Sequence, residues 1–134
     1  MLKQYNPSIA QARPSARLRR VLVVDDNRDA ADTLGALLVF LGYDVRVVYD
    51  SEMGLEEAAW FEPDVAVWDI SLPGVNGYEA ARRLRELVEG QKIMLIALTA
   101  LGTPADVQAA KDAGFDRHMK KPVDINALLT ELGC

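Results

Sequence analysis

The sequence predicts an α/β domain built on a parallel β-sheet that helices cover on both faces. Two observations predict it. From Arg20 onward, short apolar runs alternate with segments of helical spacing, five of each. The first run, "RVLVV" (20–24), is apolar without a break after Arg20, as a strand buried on both faces is. Strand–helix alternation of this kind requires right-handed crossovers and a parallel sheet.

Each element has its own local grounds. "RVLVV" (20–24) is a β-branched strand that ends on Asp25-Asp26-Asn27. Asn27 suits the N-cap of a helix whose apolar positions are Ala30, Leu34, Leu37, Leu38 and Leu41, and Gly42 stops it. "DVRVVY" (44–49) is the second strand, followed by a helix that Ser51 caps and that runs to about Phe61. "DVAVW" (64–68) and "YEAARRLRELVE" (78–89) form the third pair. "IMLIAL" (93–98) runs into Thr99, and a helix from about Pro104 to Ala113 closes on Gly114. "DRHMK" (116–120) is a weaker fifth strand, and "DINALLTEL" (124–132) a short last helix. Trp68 is expected in the core, and Trp60 is expected to pack against the domain as well.

The composition bounds the function. A chain of 134 residues holds one domain with a real core. Its net charge of −5 argues against a nucleic-acid footprint over the whole domain. The single cysteine, Cys134, allows no internal disulfide, which fits a reducing compartment. No apolar run approaches the roughly 20 residues that span a bilayer, and no secretory signal is visible. A cytoplasmic protein is expected. Residues 1–18 differ from this average: "MLKQYNPSIAQARPSARLRR" (1–20) is basic without a single acidic residue. They read as a flexible arm ahead of a domain at 19–134, either a plain tail or a contact to an acidic partner or nucleic acid.

In an open parallel sheet, ligands bind beyond the carboxyl ends of the strands. The residues there are Asp25 and Asp26 after the first strand, Asp69 after the third, Thr99 after the fourth and Lys121-Pro122 after the fifth. Three carboxylates, a hydroxyl and an ammonium thus converge on one edge. "VWDISLPGVNG" (67–77) has an ordinary reading as a turn opened by aspartate, but the topology makes Asp69 part of this cluster. Two carboxylates about 5 Å apart repel by roughly 3 kcal/mol at an effective dielectric near 20. Three such groups call for a cation, and hard oxygen ligands suit Mg²⁺.

In order and at these spacings, "VLVVDDN", "VWDISLPGVNGYE", "ALTA" and "GFDRHMKKPVD" resemble the response-regulator receiver domain of two-component signalling. The resemblance covers about Arg20 to Leu132. It implies a flavodoxin-like three-layer sandwich with a five-stranded parallel sheet of order 2-1-3-4-5 and five helices. It implies that Asp69 accepts a phosphoryl group in a Mg²⁺-dependent reaction from a sensor histidine kinase or a histidine phosphotransfer protein. Asp26, Asp69 and the Ser71 carbonyl would hold the metal directly, with Asp25 acting mostly through a metal-bound water. Lys121, Thr99 and a backbone N–H after Asp69 would neutralise the phosphoryl oxygens. Lys120 competes with Lys121 in sequence, but the family's lysine immediately precedes a proline, commonly across a cis bond.

The same resemblance implies a regulatory domain rather than an enzyme, limited to self-catalysed phosphotransfer and autodephosphorylation. It would present a changed surface to an unknown output protein, as a monomer or weak dimer, without binding DNA directly. The chain reads as a stand-alone receiver or the terminal receiver of a hybrid histidine kinase, with no output domain. His118 stands where the family usually carries a switch Tyr or Phe; it is either that switch, coupled to Thr99, or an exposed strand histidine. Ser71 and Leu101 would flank the approach of the hydrolytic water, and their side chains suit a long-lived phosphoryl group. Two rival classes remain at this level: an aspartyl phosphatase or phosphotransferase, and a receiver that binds partners without phosphorylation. The first usually carries a second acid two residues after the nucleophile, where this chain has Ser71.

Overall fold

A computed structural model describes residues 19–71, 76–87, 92–100 and 102–133. Its strands are β1 (Arg20–Val24), β2 (Asp44–Val48), β3 (Val65–Asp69), β4 (Met94–Thr99) and β5 (Arg117–Lys120). The helices are α1 (Arg28–Phe40), α2 (Ser51–Phe61), α3 (Gly77–Leu87), α4 (Pro104–Ala113) and α5 (Ile125–Leu132). The five strands form one parallel sheet in the order β2-β1-β3-β4-β5. This is the three-layer flavodoxin-like architecture expected. The basic arm, residues 1–18, lies outside the described residues.

Period-two alternation in the strands divides the core between two faces. Leu22, Val24, Ala66, Trp68, Leu95 and Ala97 pack under Leu55, Ala58 and Phe61 of α2 and Ala80, Ala81 and Leu84 of α3. Val21, Val23, Val65, Val67, Ile96 and Leu98 face Ala31 and Leu38 of α1 and Leu128 and Leu132 of α5. β5 is an edge on which Arg117, His118 and Lys120 are exposed, and the charges of Arg117 and Lys120 guard it against pairing.

Of the two N-caps expected from sequence, Asn27 holds and Ser51 does not, while Thr103 and Asp124 cap two further helices. The Asn27 side chain accepts from the N–H of Ala30, Thr103 from Asp106, and Asp124 from Asn126 and Ala127. For α2 the cap is Asp50, which accepts from Met53 at 2.8 Å, and not Ser51. Ser51 is instead the first helical residue, buried, with its hydroxyl accepting the Trp68 indole N–H at 3.0 Å. Two adjacent residues had equal capping chemistry, and the buried indole took one of them.

Close approach explains two glycines. A Cβ at Gly54 would come within 2.8 Å of the Trp68 ring, and one at Gly77 within 2.4 Å of the Ile70 Cα. The first lets α2 sit against the indole, and the second lets α3 start against the end of β3. Trp68 is 1% exposed, as expected of a core residue. Trp60 is not: it is 86% exposed, because Leu55, Ala58 and Phe61 occupy the inward face of α2.

Candidate functional site at the carboxyl edge of the sheet

β1 and β3 are neighbours, so the residues that end them meet. Asp69 is the last residue of β3 and only 2% exposed, and Asp25, just past β1, is 4% exposed. Asp26 beside them is exposed. One carboxylate oxygen from each of Asp25, Asp26 and Asp69 lies within 4.8 Å of the others. Ion-pairing offsets part of the repulsion. The Lys121 ammonium lies 2.8 Å from Asp69 Oδ2 and 3.3 Å from Asp25 Oδ2. Lys121 reaches this position because its backbone N–H bonds the Thr99 carbonyl at 2.8 Å, fixing the turn after β5. The Lys121–Pro122 peptide is cis.

Hydrogen bonds orient both buried acids. Asp69 Oδ1 accepts from the Ser71 N–H at 2.9 Å and the Ser71 hydroxyl at 2.7 Å. Asp25 Oδ1 accepts from the Asn27 N–H at 3.0 Å. Burial pushes the Asp25 carboxyl above its ordinary value and the Asp69 charge adds to this, while the Asn27 N–H and Lys121 oppose it. Burial also acts to raise Asp69, but the Lys121 and Ser71 hydrogen bonds outweigh it and hold the group below the ordinary aspartate value. Lys121, against the cost of its own burial, is held above the usual lysine value by Asp69 and Asp25. The two neighbouring aspartates are thus driven in opposite directions, Asp25 upward and Asp69 downward.

Thr99, the last residue of β4, is 1% exposed. Its Oγ1 is buried without a hydrogen-bond partner among the described residues. A buried hydroxyl left unpaired costs about 1–3 kcal/mol, which makes it a donor waiting for an acceptor. Ile70 donates its N–H to the Leu98 carbonyl, so the first amide after Asp69 is committed to the sheet and the Ser71 amide is the one that bonds the carboxylate.

The structure therefore brings Asp25, Asp26, Asp69, Ser71, Thr99 and Lys121 to one edge. His118 stands apart, exposed on β5 and paired in register with Ala97. Leu101 lies outside the described residues. The Ser71 hydroxyl bond to Asp69 went unread in the sequence, although an Asp-x-Ser turn is the pattern that announces it. The donor set fits a hard divalent cation: all carboxylate oxygens, two of them buried, with one ammonium unable to neutralise three charges.

The fold and this edge together define a phospho-accepting regulatory domain. The family model "Response regulator receiver domain" matches residues 21–133, and the chain belongs to that family. It is 35% identical over 113 residues to "Response regulator MprA" of Mycobacterium ulcerans, covering 84% of this chain and 48% of that protein. It is 33% identical over 113 residues to the "DNA-binding dual master transcriptional regulator RpaA" of a Synechocystis strain, covering 84% and 47%. The chain spans about half the length of these curated relatives. A solved receiver domain protein (CheY-like) of Methanospirillum hungatei superposes with a TM-score of 0.79 at 28% identity, over 87% of this chain and 91% of that one. The protein is a receiver domain of two-component signalling with a phosphoacceptor role. No helix among the described residues is long and apolar enough to cross a membrane.

Proposed function

We propose that Asp69 is the phosphoryl acceptor and that Asp25, Asp26, Asp69 and the Ser71 carbonyl hold Mg²⁺, with Asp25 acting mostly through a bound water. The observation that carries this reading is the single Lys121 ammonium shared between two buried carboxylates, 2.8 Å from Asp69 and 3.3 Å from Asp25. When bound, the cation neutralises the carboxylate cluster and one phosphoryl oxygen.

The chain's own residues do the rest. An Asp69 carboxylate oxygen attacks phosphorus as the bond to the donor's imidazole nitrogen breaks, and that nitrogen keeps the electron pair. Lys121 passes from Asp69 Oδ2 to a phosphoryl oxygen, as a compact charge on a flexible stem can. The Thr99 hydroxyl finds in a second oxygen the acceptor it lacks. The Ser71 N–H turns from Asp69 Oδ1 to the incoming group. In autodephosphorylation a water oxygen attacks phosphorus as the bond to the Asp69 oxygen breaks; the carboxylate keeps the electron pair, and inorganic phosphate leaves with a proton of the water passing to solvent.

The donor in this reading is a sensor histidine kinase or a histidine phosphotransfer protein in the cytoplasm, and the output is a changed surface offered to another protein. The net charge of −5 argues against direct DNA binding by this domain. An aspartyl phosphatase would place an acid at position 71, whereas the serine there spends its hydroxyl on Asp69. The test is acid-labile phosphate from acetyl phosphate with Mg²⁺, located by mass spectrometry. Wild type takes up one phosphoryl group and Asp69→Asn takes up none. Undiminished labelling of a folded Asp69→Asn protein overturns the assignment.

A further inference from the structure

The outer face of α2 carries chemistry that the phosphoacceptor edge does not use. Met53 and Trp60 are 51% and 86% exposed. Seven residues apart, they lie two turns from each other on one side of the helix, with Glu56 between them. Between Ser51 and Asp64 the acids are Glu52, Glu56, Glu57, Glu62 and Asp64, and there is no base. Glu52, Glu56 and Glu62 make no ion pair among the described residues. The last turn of α2 has no basic residue of its own, and the cation at its carbonyl end is Arg20, whose guanidinium bonds the Phe61 carbonyl and leaves Glu62 without an ion pair among the described residues.

Beside this face opens a groove of about 370 Å³ lined by Arg20, Asp44, Arg46, Glu57, Trp60 and Phe61. Its own charges are matched. Arg46 pairs with Glu57 at 3.0 Å, Arg20 approaches Asp44 at 4.0 Å, and both guanidiniums lie against the Phe61 ring, 5.0 and 5.7 Å from its centre. No cation is stacked on Trp60 among the described residues. What remains is an exposed indole and three exposed glutamates.

We propose that residues 1–18 of this same chain cover that face, with Arg17 over Trp60 and Arg13 toward Glu56 and Glu52. Three observations select this occupant, which goes beyond the phosphoacceptor reading. The first is where the segment joins the domain. Arg20 donates its N–H to Asp64 at 2.8 Å and its guanidinium to the Phe61 carbonyl at 2.9 Å, so the chain enters β1 at the wall of this groove. The second is charge. Lys3, Arg13 and Arg17 come without any acid in residues 1–18, whereas α2 has acids and no base. The third is reach. Three extended residues cover about 10 Å and eighteen about 60 Å, against the roughly 17 Å that eleven helical residues occupy. An Arg guanidinium over an exposed Trp face is a favourable cation–π pair.

Acrylamide quenching of tryptophan fluorescence tests the proposal on the full chain. Trp68 is 1% exposed, so quenching reports Trp60, and a Trp60→Phe variant supplies the background. At low salt the quenching constant of Trp60 should rise about twofold in Arg13→Glu/Arg17→Glu, as it should in wild type near 0.5 M salt, where screening is strong. Adding Glu52→Arg/Glu56→Arg to the arm variant should restore the shielding, a rescue that general unfolding cannot mimic. Equal quenching in wild type and arm variant overturns the proposal. Shielding that disappears on dilution also overturns it, because the covering segment would then come from a second copy.

Discussion

Trp68, the residue before Asp69, donates its indole N–H to the Ser51 hydroxyl at 3.0 Å, and both residues are buried. The bond ties the end of β3 to the first turn of α2, with Gly54 making room for the ring. Ser51→Ala leaves a buried indole N–H unpaired, at a cost of about 1–3 kcal/mol. A lower melting temperature with a changed near-ultraviolet tryptophan signal is the expected outcome. An unchanged melt would mean that the bond contributes nothing net.

The metal assignment separates two neighbours. Asp26 contributes an oxygen to the three-carboxylate cluster, whereas the Asn27 side chain caps α1. Asp26→Ala should weaken Mg²⁺ binding at least about tenfold, a loss of about 1.4 kcal/mol, while Asn27→Ala mainly costs helix stability. Titration followed by Trp68 fluorescence measures both; equal losses of affinity would count against Asp26 as a direct ligand.

Asp25 and Asp69 make opposite contributions to stability as pH changes in the metal-free protein. The Asp25 value is raised above 3.8, so the folded state binds its proton more tightly than the unfolded state does, and stability falls as pH rises through the window above 3.8. The Asp69 value is lowered, so its contribution is present above 3.8 and is lost as pH falls through the folded value. Asp25→Asn should therefore raise the melting temperature at pH 7 in the presence of a chelator, by about 3 °C or more for each kcal/mol relieved. That gain should shrink as pH is lowered toward the ordinary aspartate value. A gain independent of pH would show that charge is not its origin.

His118 is exposed on β5, beside a small groove that includes Lys111 and Phe115. As a switch it has to move when Thr99 engages the phosphoryl group. Beryllofluoride activation should then shift the NMR signals of His118 and Thr99 together, in the same titration. If the Thr99 signal shifts and the His118 signal stays, His118 is a surface residue.

In the proposed mechanism, positions 71 and 101 set the lifetime of the phosphoryl group. The Ser71 hydroxyl is bound to Asp69 Oδ1 at 2.7 Å, and neither serine nor leucine holds an attacking water well. Ser71→Asn/Leu101→Glu should accelerate loss of phosphate from the purified phosphoprotein about tenfold, equivalent to about 1.4 kcal/mol in the barrier. A decay no faster than that of wild type removes this account.

Much of this protein was legible in the sequence because the decisive patterns are local. Continuous apolar runs mark the central strands β1, β3 and β4, and helical spacing with capping residues marks the helices, each within about ten residues of chain. The topology rule for parallel sheets then carries Asp25, Asp69, Thr99 and Lys121 to one edge without further information. Even the exposure of Trp60 was within reach, since Leu55, Ala58 and Phe61 already define the inward stripe of α2 and leave position 60 outside it. Other features belong to tertiary structure alone. Ser51 rather than Asp50 meets the Trp68 indole, and Lys121 divides its charge between Asp69 and Asp25. Arg85 joins the Ile93 and Gly114 carbonyls to the Asp116 carboxylate, clasping the start of β4 to the end of α4. These contacts link residues 8 to 96 positions apart, and sheet twist, strand register and the closeness of glycine contacts select them. Local chemistry names the groups able to pair, but several candidates of equal chemistry stand side by side, and only the packed geometry decides which of them meet.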